Sequence, residues 1–328
     1  MTATIAEPRT LRVNEALREA MFEEMEHDES VLVFGEDVGV YGGMYQVTDG
    51  LLDRFGPSRV RDTPISEAGL VGAAVGLAQS GMRPVVEIMY MDFVGVAMDP
   101  IVNQMGTIPY IWGEDLPMVL RLQGGSGGSS PHHGKTLEAW FCHVPDIVVI
   151  MPATAADHKA LLKAAIRDPR PVIFCESRHI YGEQGPVIES EAIGEIGKAA
   201  IPVKGEDITV VTWGRMVYRA LEAARALEGK ISVEVIDLRT LVPLDISTLI
   251  ESVGRTGRCL VVHEAWQRMG YGAEVAARIA ETCFEHLEAP VTRFGAVNRP
   301  QPFAPVYLDH LIPTSATISQ RIIELMAQ

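Results

Sequence analysis

The chain has 328 residues, 47% of them apolar, and a formal net charge of −15. That length and apolar content suit two globular domains and exclude a disordered or fibrous chain. The acidic balance argues against nucleic acid, whose recognition needs a basic face.

The four cysteines, Cys142, Cys175, Cys259 and Cys283, form no CxxC pair. They read as small hydrophobes in a reducing compartment. The opening run MTATIAEPRT has neither an apolar core nor an Arg/Ser-rich amphipathic pattern, so no targeting peptide is expected there. No apolar stretch reaches about 18 residues without charge or proline. The expectation is a cytoplasmic protein with no membrane span.

Helix-period and strand-like segments alternate along the first half. A helix over 11–27 leads into the strand VLVF at Val31–Phe34. A short strand near Arg59–Arg61 precedes a small-residue helix beginning at Glu67. The strand PVVEIM at Pro84–Met89 follows, then a helical stretch, the strand PMVLRL and a glycine-rich loop. The helix TLEAWFCHV, the strand DIVVIMP, a helix over 155–166 and the strand PVIFCES close this half. Regularity fades where Gly, Pro and Glu dominate, and a linker is expected at 186–205 between domains over 1–185 and 206–328. The second half restarts with DITVVTW, VEVIDL, CLVVHE and PVTRF, separated by helices. This alternation predicts an α/β fold of two doubly wound domains with largely parallel sheets.

Two nucleotide-like motifs fail on spacing. Gly134-Lys135-Thr136 would close a P-loop, but the first glycine position falls on Ser129 and the nearest glycine is Gly128. Gly270-Tyr271-Gly272 lacks the third glycine of a dinucleotide fingerprint. His132 and His133 are adjacent and His143 has no carboxylate at ligand spacing, so no zinc centre is expected.

Three segments could carry chemistry. Glu67 stands at a strand-to-helix junction, ahead of Gly69, Gly72, Ala73 and Gly76, which make a thin helix open to close approach. In one reading Ser66 caps that helix and Glu67 complements its dipole. In the other, Glu67 is a carboxylate at a packed interface, sharing a proton with a ligand nitrogen. The loop QGGSGGSSPHHGKT holds His132 and His133 before a well-patterned helix, where a histidine moves protons near neutral pH. Glu36 and Asp37 follow a buried strand, either as solvated loop charges or as part of an acidic network.

Taken together, GEDVGVYGGMYQVTDGLLDRFG, DTPISEAGLVGAAVGLA, RPVVEIMYMDF, HHGKTLEAWFCHVPDIVVIMP and AIRDPRPVIFCE resemble the beta subunit of the 2-oxo acid dehydrogenase first component. This is the thiamine-diphosphate decarboxylase of pyruvate, acetoin and branched-chain complexes. DLRTLVPLD, SVGRTGRCLVVHEA and YGAEVAARIAE resemble the transketolase C-terminal domain.

The resemblance implies a transketolase-like fold and a set of roles. Glu67 matches the glutamate that bonds the pyrimidine N1′ of thiamine and favours the tautomer that deprotonates the thiazolium. Phe93 matches the aromatic residue stacked on the pyrimidine, and Met89 a neighbour in that pocket. Glu36 matches an acidic residue of a polar channel between paired active sites. His133 matches a histidine that assists acyl transfer to lipoyl groups, although Gly134 and Lys135 stand where the family has Ser and Gln. Some members bind potassium through backbone carbonyls and an aspartate; the matching positions are Met118, Ala165, Ile166 and Asp168.

No GDG motif occurs, so the resemblance assigns magnesium and the diphosphate to an alpha subunit in an α₂β₂ heterotetramer. The lipoyl acyltransferase core, through its subunit-binding and lipoyl domains, is the further expected partner, with a 2-oxo acid as substrate and an enzyme of pyruvate or acetoin type. The alternatives are a branched-chain 2-oxo acid, a non-catalytic assembly subunit, or half of a split transketolase or deoxyxylulose-phosphate synthase.

Overall fold

The computed structural model describes residues 9–127, 130–187, 193–302 and 304–328. The chain divides into two compact units. The first comprises Met1–Gln123, Val144–Ile150 and Thr154–Ile196; the second comprises Gly124–His143, Met151–Ala153 and Gly197–Gln328.

The first unit is built on strands in the order Val148–Ile150, Val172–Ser177, Val119–Gly124, Arg83–Met89, Val31–Gly35 and Val60–Asp62. Every registered pair among them is parallel. The strands of Val31–Gly35 and Val119–Gly124 are buried at every residue, which explains their continuous apolar runs. The helix Val13–His27 buries Val13, Ala16, Leu17, Ala20, Met21, Glu24 and Met25, a three- and four-residue spacing that makes one apolar face. It packs on the helix Ala155–Arg167, whose N-cap Thr154 accepts a hydrogen bond from Asp157 N at 3.1 Å. Along this seam Lys159 reaches Glu23 at 2.7 Å, Lys163 reaches Glu23 at 2.6 Å, and Arg167 reaches the buried Glu24 at 2.7 Å. Leu11 and Arg12, expected to begin the first helix, instead belong to the strand Arg9–Arg12, which pairs antiparallel with Gln184–Val187.

The sheet interior carries one buried polar network. Arg121 is fully buried and bonds Glu87 at 2.6 Å and Glu176 at 2.7 Å, joining three neighbouring strands. A buried guanidinium with two carboxylates is tolerated because each charge is paired and hydrogen-bonded.

The second unit has a five-stranded sheet in the order Thr292–Ala296, Cys259–Trp266, Ile208–Thr212, Val233–Asp237 and Ala200–Val203. The first four are parallel neighbours; Ala200–Val203 adds antiparallel at the edge. That edge strand lies inside the segment expected to be a linker.

The GYG run finds its explanation here. His263 lies buried and stacked on Trp213, with ring centroids 5.4 Å apart and planes 7° from parallel. A Cβ at Gly270 would come within 2.6 Å of the His263 ring, and one at Gly272 within 2.5 Å. These glycines make room for a buried imidazole rather than for a dinucleotide. Burial pulls the His263 pKa down to about 4, so the ring is neutral.

Among the described residues no helix is long and apolar enough to cross a membrane.

Candidate active site

In the first unit, the carboxyl ends of adjacent parallel strands place the expected residues on one edge, where open α/β sheets bind ligands. Val31–Gly35 ends directly before Glu36. Gly35 is in register with Asp62 on one side and Glu87 on the other. Two residues beyond Glu87, Met89 closes its strand and Phe93 follows in the next turn. Beyond Asp62, Thr63 N donates to Gly35 O at 2.9 Å, and four residues later Glu67 opens the helix Glu67–Gln79.

Local chemistry holds this edge. Asp62 accepts hydrogen bonds from Gly39 N at 2.6 Å and Val40 N at 3.1 Å, fixing the loop after Glu36. A Cβ at Gly35 would meet Glu87 O at 2.7 Å, so only glycine lets the strands approach as they do. Asp37 takes a positive φ of 56°, which turns the chain away after Glu36.

Glu36 and Glu67 are both buried, 8% and 7% exposed. Burial raises the Glu36 pKa above the usual carboxylate range, and the charges of Glu67 and Asp37 raise it further. Glu36 Oε1 is buried and has no hydrogen-bond partner among the described residues. Two like-charged groups sharing a buried edge, one with an unfilled acceptor, are costly for stability alone. Met89 and Phe93 are half-buried and supply apolar surface nearby in the chain.

The capping reading of Ser66 fails. Its side chain makes no cap bond and donates instead to Pro64 O at 3.2 Å. Glu67 is therefore the only acidic group in the first helical turn, and it is buried rather than solvated. On the same helix, a Cβ at Gly72 or Gly76 would meet nothing within 4 Å. That face of small residues is open to close approach by another backbone.

The four positions matched to a potassium site do not fit one. Met118 O accepts a hydrogen bond from Val172 N at 2.9 Å. Ile166 O accepts from the Arg83 guanidinium at 2.8 Å, and the Asp168 carboxylate is held by Arg170 at 2.9 and 2.8 Å. Ala165 is buried within its helix. Two guanidinium groups stand at the oxygens a cation would need. Asp168 is held low against the effect of its burial by those bonds to Arg170.

His133 belongs to the second unit. It is half-buried while His132 is exposed, which singles out His133 of the pair. His133 N donates to Ser130 O at 3.1 Å, and Lys135 Nζ to Pro131 O at 3.1 Å, so 130–135 is turned tightly on itself. Gly128 and Ser129, which entered the failed P-loop reading, lie outside the described residues. After the loop, the buried Glu138 accepts from Trp213 Nε1 at 3.3 Å. Burial pushes its carboxyl up to about 7.

Two family descriptions match the chain: the transketolase pyrimidine binding domain over residues 9–184, and the transketolase C-terminal domain over residues 197–318. The chain is 41% identical over 326 residues to the acetoin:2,6-dichlorophenolindophenol oxidoreductase subunit beta of Cupriavidus necator, covering 95% of this chain and 96% of that protein. It is 44% identical over 303 residues to the pyruvate dehydrogenase E1 component subunit beta of Rhizobium meliloti, covering 91% of this chain and 66% of that protein. The chain belongs to the E1 beta-subunit family.

Membership bears out the resemblance carried by the motifs and the two-domain α/β expectation. It implies use of thiamine diphosphate and an alpha-subunit partner. A solved structure titled split gene transketolase, inactive beta4 tetramer, superposes with a TM-score of 0.77 at 24% identity, covering 97% of this chain and 98% of that one. That likeness concerns the fold.

Proposed function

We propose that the chain is the beta subunit of a 2-oxo acid dehydrogenase first component of pyruvate or acetoin type, and that Glu67 is its cofactor-activating residue. The observation that carries this is the buried Glu36–Glu67 pair on the carboxyl edge of the first sheet, with an unfilled acceptor on Glu36. The pair fits an aminopyrimidine, which presents ring nitrogens and an amino group to such oxygens. When bound, thiamine diphosphate supplies the carbon nucleophile and the electron sink for decarboxylation.

This chain's residues then act on protons and position. Glu67 holds a proton against the pyrimidine N1′. Glu36 stays proton-bearing more readily than an exposed glutamate, and so can donate as well as accept. Phe93 and Met89 provide the apolar surface that orients the ring and excludes water. His133 assists transfer of the acyl group to a lipoyl disulfide. The electron pair left by decarboxylation breaks the S–S bond as the substrate carbon is oxidised to the acyl level. One sulfur takes the acyl group as a thioester, and the other leaves as a thiolate that gains a proton. In this reading an alpha chain in an α₂β₂ assembly supplies the magnesium ligands and the diphosphate cradle. The small-residue face of the Glu67 helix suits close contact with that partner. The acyltransferase core completes the complex.

The test is to assemble the chain with an alpha-type E1 chain from the same organism and follow dye reduction with pyruvate, acetoin and branched 2-oxo acids. Turnover of pyruvate or acetoin is expected, with none from either chain alone. Preference for a branched 2-oxo acid would change the substrate class. Turnover of a sugar phosphate with 2-oxo acids inert would overturn the reading.

A further inference from the structure

Near the histidine loop, the second unit holds a polar cluster that none of the roles above uses. We infer that Glu264, Arg215 and Gln301 grip Ser126 at the neck of the loop and set the position of His133, which makes Glu264 a positioning residue. The inference rests on the reading of His133 given above.

The neck is formed where the two ends of the loop meet. Gly125 N donates to Lys135 O at 3.4 Å, and a Cβ at Gly134 would lie 3.2 Å from Gly127 N. Ser126 sits in this neck and is fully buried. Its N–H donates to Glu264 Oε1 at 2.8 Å, its carbonyl accepts from Arg215 at 3.2 Å, and its hydroxyl accepts from Gln301 Nε2 at 2.9 Å. Arg215 also reaches Glu264 Oε1 at 3.2 Å. Every polar group of one residue is thus held by a side chain far away in sequence. Arg215 precedes the helix Met216–Ala226, Glu264 lies in the strand Cys259–Trp266, and Gln301 comes from a third segment.

Satisfying a buried loop backbone does not by itself call for a charged side chain. Glu264 is 2% exposed, and burying a carboxylate costs stability that one arginine only partly offsets. What the arrangement provides is fixed geometry at a rigid strand. On the other side of the neck the segment 130–135 is internally tied: Ser130 Oγ accepts from His132 N at 2.9 Å, Ser130 O from His133 N, and Lys135 O joins it to Gly125 N. A displacement at Ser126 is therefore carried to His133. The cluster also gives Gly134 a reason. A Cβ there would lie 3.2 Å from Gly127 N, so glycine lets the two sides of the neck approach closely.

The experiment compares Glu264→Gln, Gln301→Leu and His133→Ala, each assembled with the alpha-type chain. Three quantities are measured: 2-oxo acid-driven dye reduction, acyl transfer to a free lipoyl domain, and hydrogen exchange over residues 124–136. In Glu264→Gln the ratio of lipoyl transfer to dye reduction should fall by about tenfold, as expected for a group displaced by a fraction of an ångström to an ångström. Exchange in the neck should quicken. Gln301→Leu removes only the bond to the Ser126 hydroxyl, so it guards against misfolding; a fall of about threefold is expected from one lost hydrogen bond. An unchanged ratio in both variants, or a parallel fall of both rates with unchanged exchange, overturns the inference. If His133→Ala leaves the ratio unchanged, the histidine reading fails, and exchange alone then judges the anchor: faster exchange upholds it and unchanged exchange overturns it.

Discussion

At the scale of single residues, the site is defined by charges kept where solvation is poor. Glu36 carries the clearest signature: burial, then Glu67, then Asp37 raise its pKa. A carboxyl raised in the folded state holds its proton where the unfolded chain has already lost it. Stability therefore falls as pH rises past the ordinary carboxylate value and through the folded one. Glu36→Gln removes that penalty. Its thermal midpoint should exceed wild type at pH 7.5 and match it near pH 4, while dye reduction by the assembled enzyme falls. A variant no more stable at pH 7.5, or fully active, would remove Glu36 from the site. Gain of stability with loss of activity is the pattern expected where a strained site serves function. The sequence singled out Glu36 and Glu67 separately, each with a functional reading, but not as neighbours. Their coupling was invisible because a parallel sheet brings together residues 31 positions apart. The Ser66 cap was legible but wrong, since Ser66 turns its hydroxyl back to Pro64.

At the scale of elements, most strands were readable because strands buried on both faces are written as unbroken apolar runs. The edge strand Ala200–Val203 was not, because it is short, half-exposed and holds a proline. The glycine-rich loop was recognised, but not that it packs in the second unit, since order along the chain does not say which core a loop joins. Its anchors lie 89, 138 and 175 residues from Ser126, beyond any local pattern. The GYG run was set aside as a fingerprint on spacing, and the packing of its glycines around the His263 ring lay beyond the local sequence. Gly272→Ala tests that packing. The added methyl would meet His263 Cδ2 at 2.5 Å and Val261 Cγ1 at 3.2 Å. Overpacking of this kind costs about 1–3 kcal/mol. The urea midpoint should fall accordingly, with the slope of the transition unchanged; an unaltered midpoint would refute the packing account.

At the scale of the whole molecule, family membership implies an alpha-subunit partner, and the function proposed above has this chain supply one half of the active site. The acidic glutamate pair is present, and a small-residue helix face is open for a partner. The potassium positions differ from the expectation. Arg83 and Arg170 bond the oxygens of two of the four positions, Ile166 and Asp168, so exchanging potassium for sodium at constant ionic strength should leave the thermal midpoint unchanged. A rise of more than about 2 °C in potassium would place an ion there after all.

The central claim is that Glu67 activates the cofactor, and Glu67→Gln in the assembled enzyme tests it most directly. The substitution keeps size and polarity but removes the group that holds the proton. With the variant shown to assemble normally, 2-oxo acid-dependent dye reduction should fall by about 10²- to 10⁴-fold, the range for loss of a proton-transfer group. Activity within about twofold of wild type, far inside that range, would contradict the account.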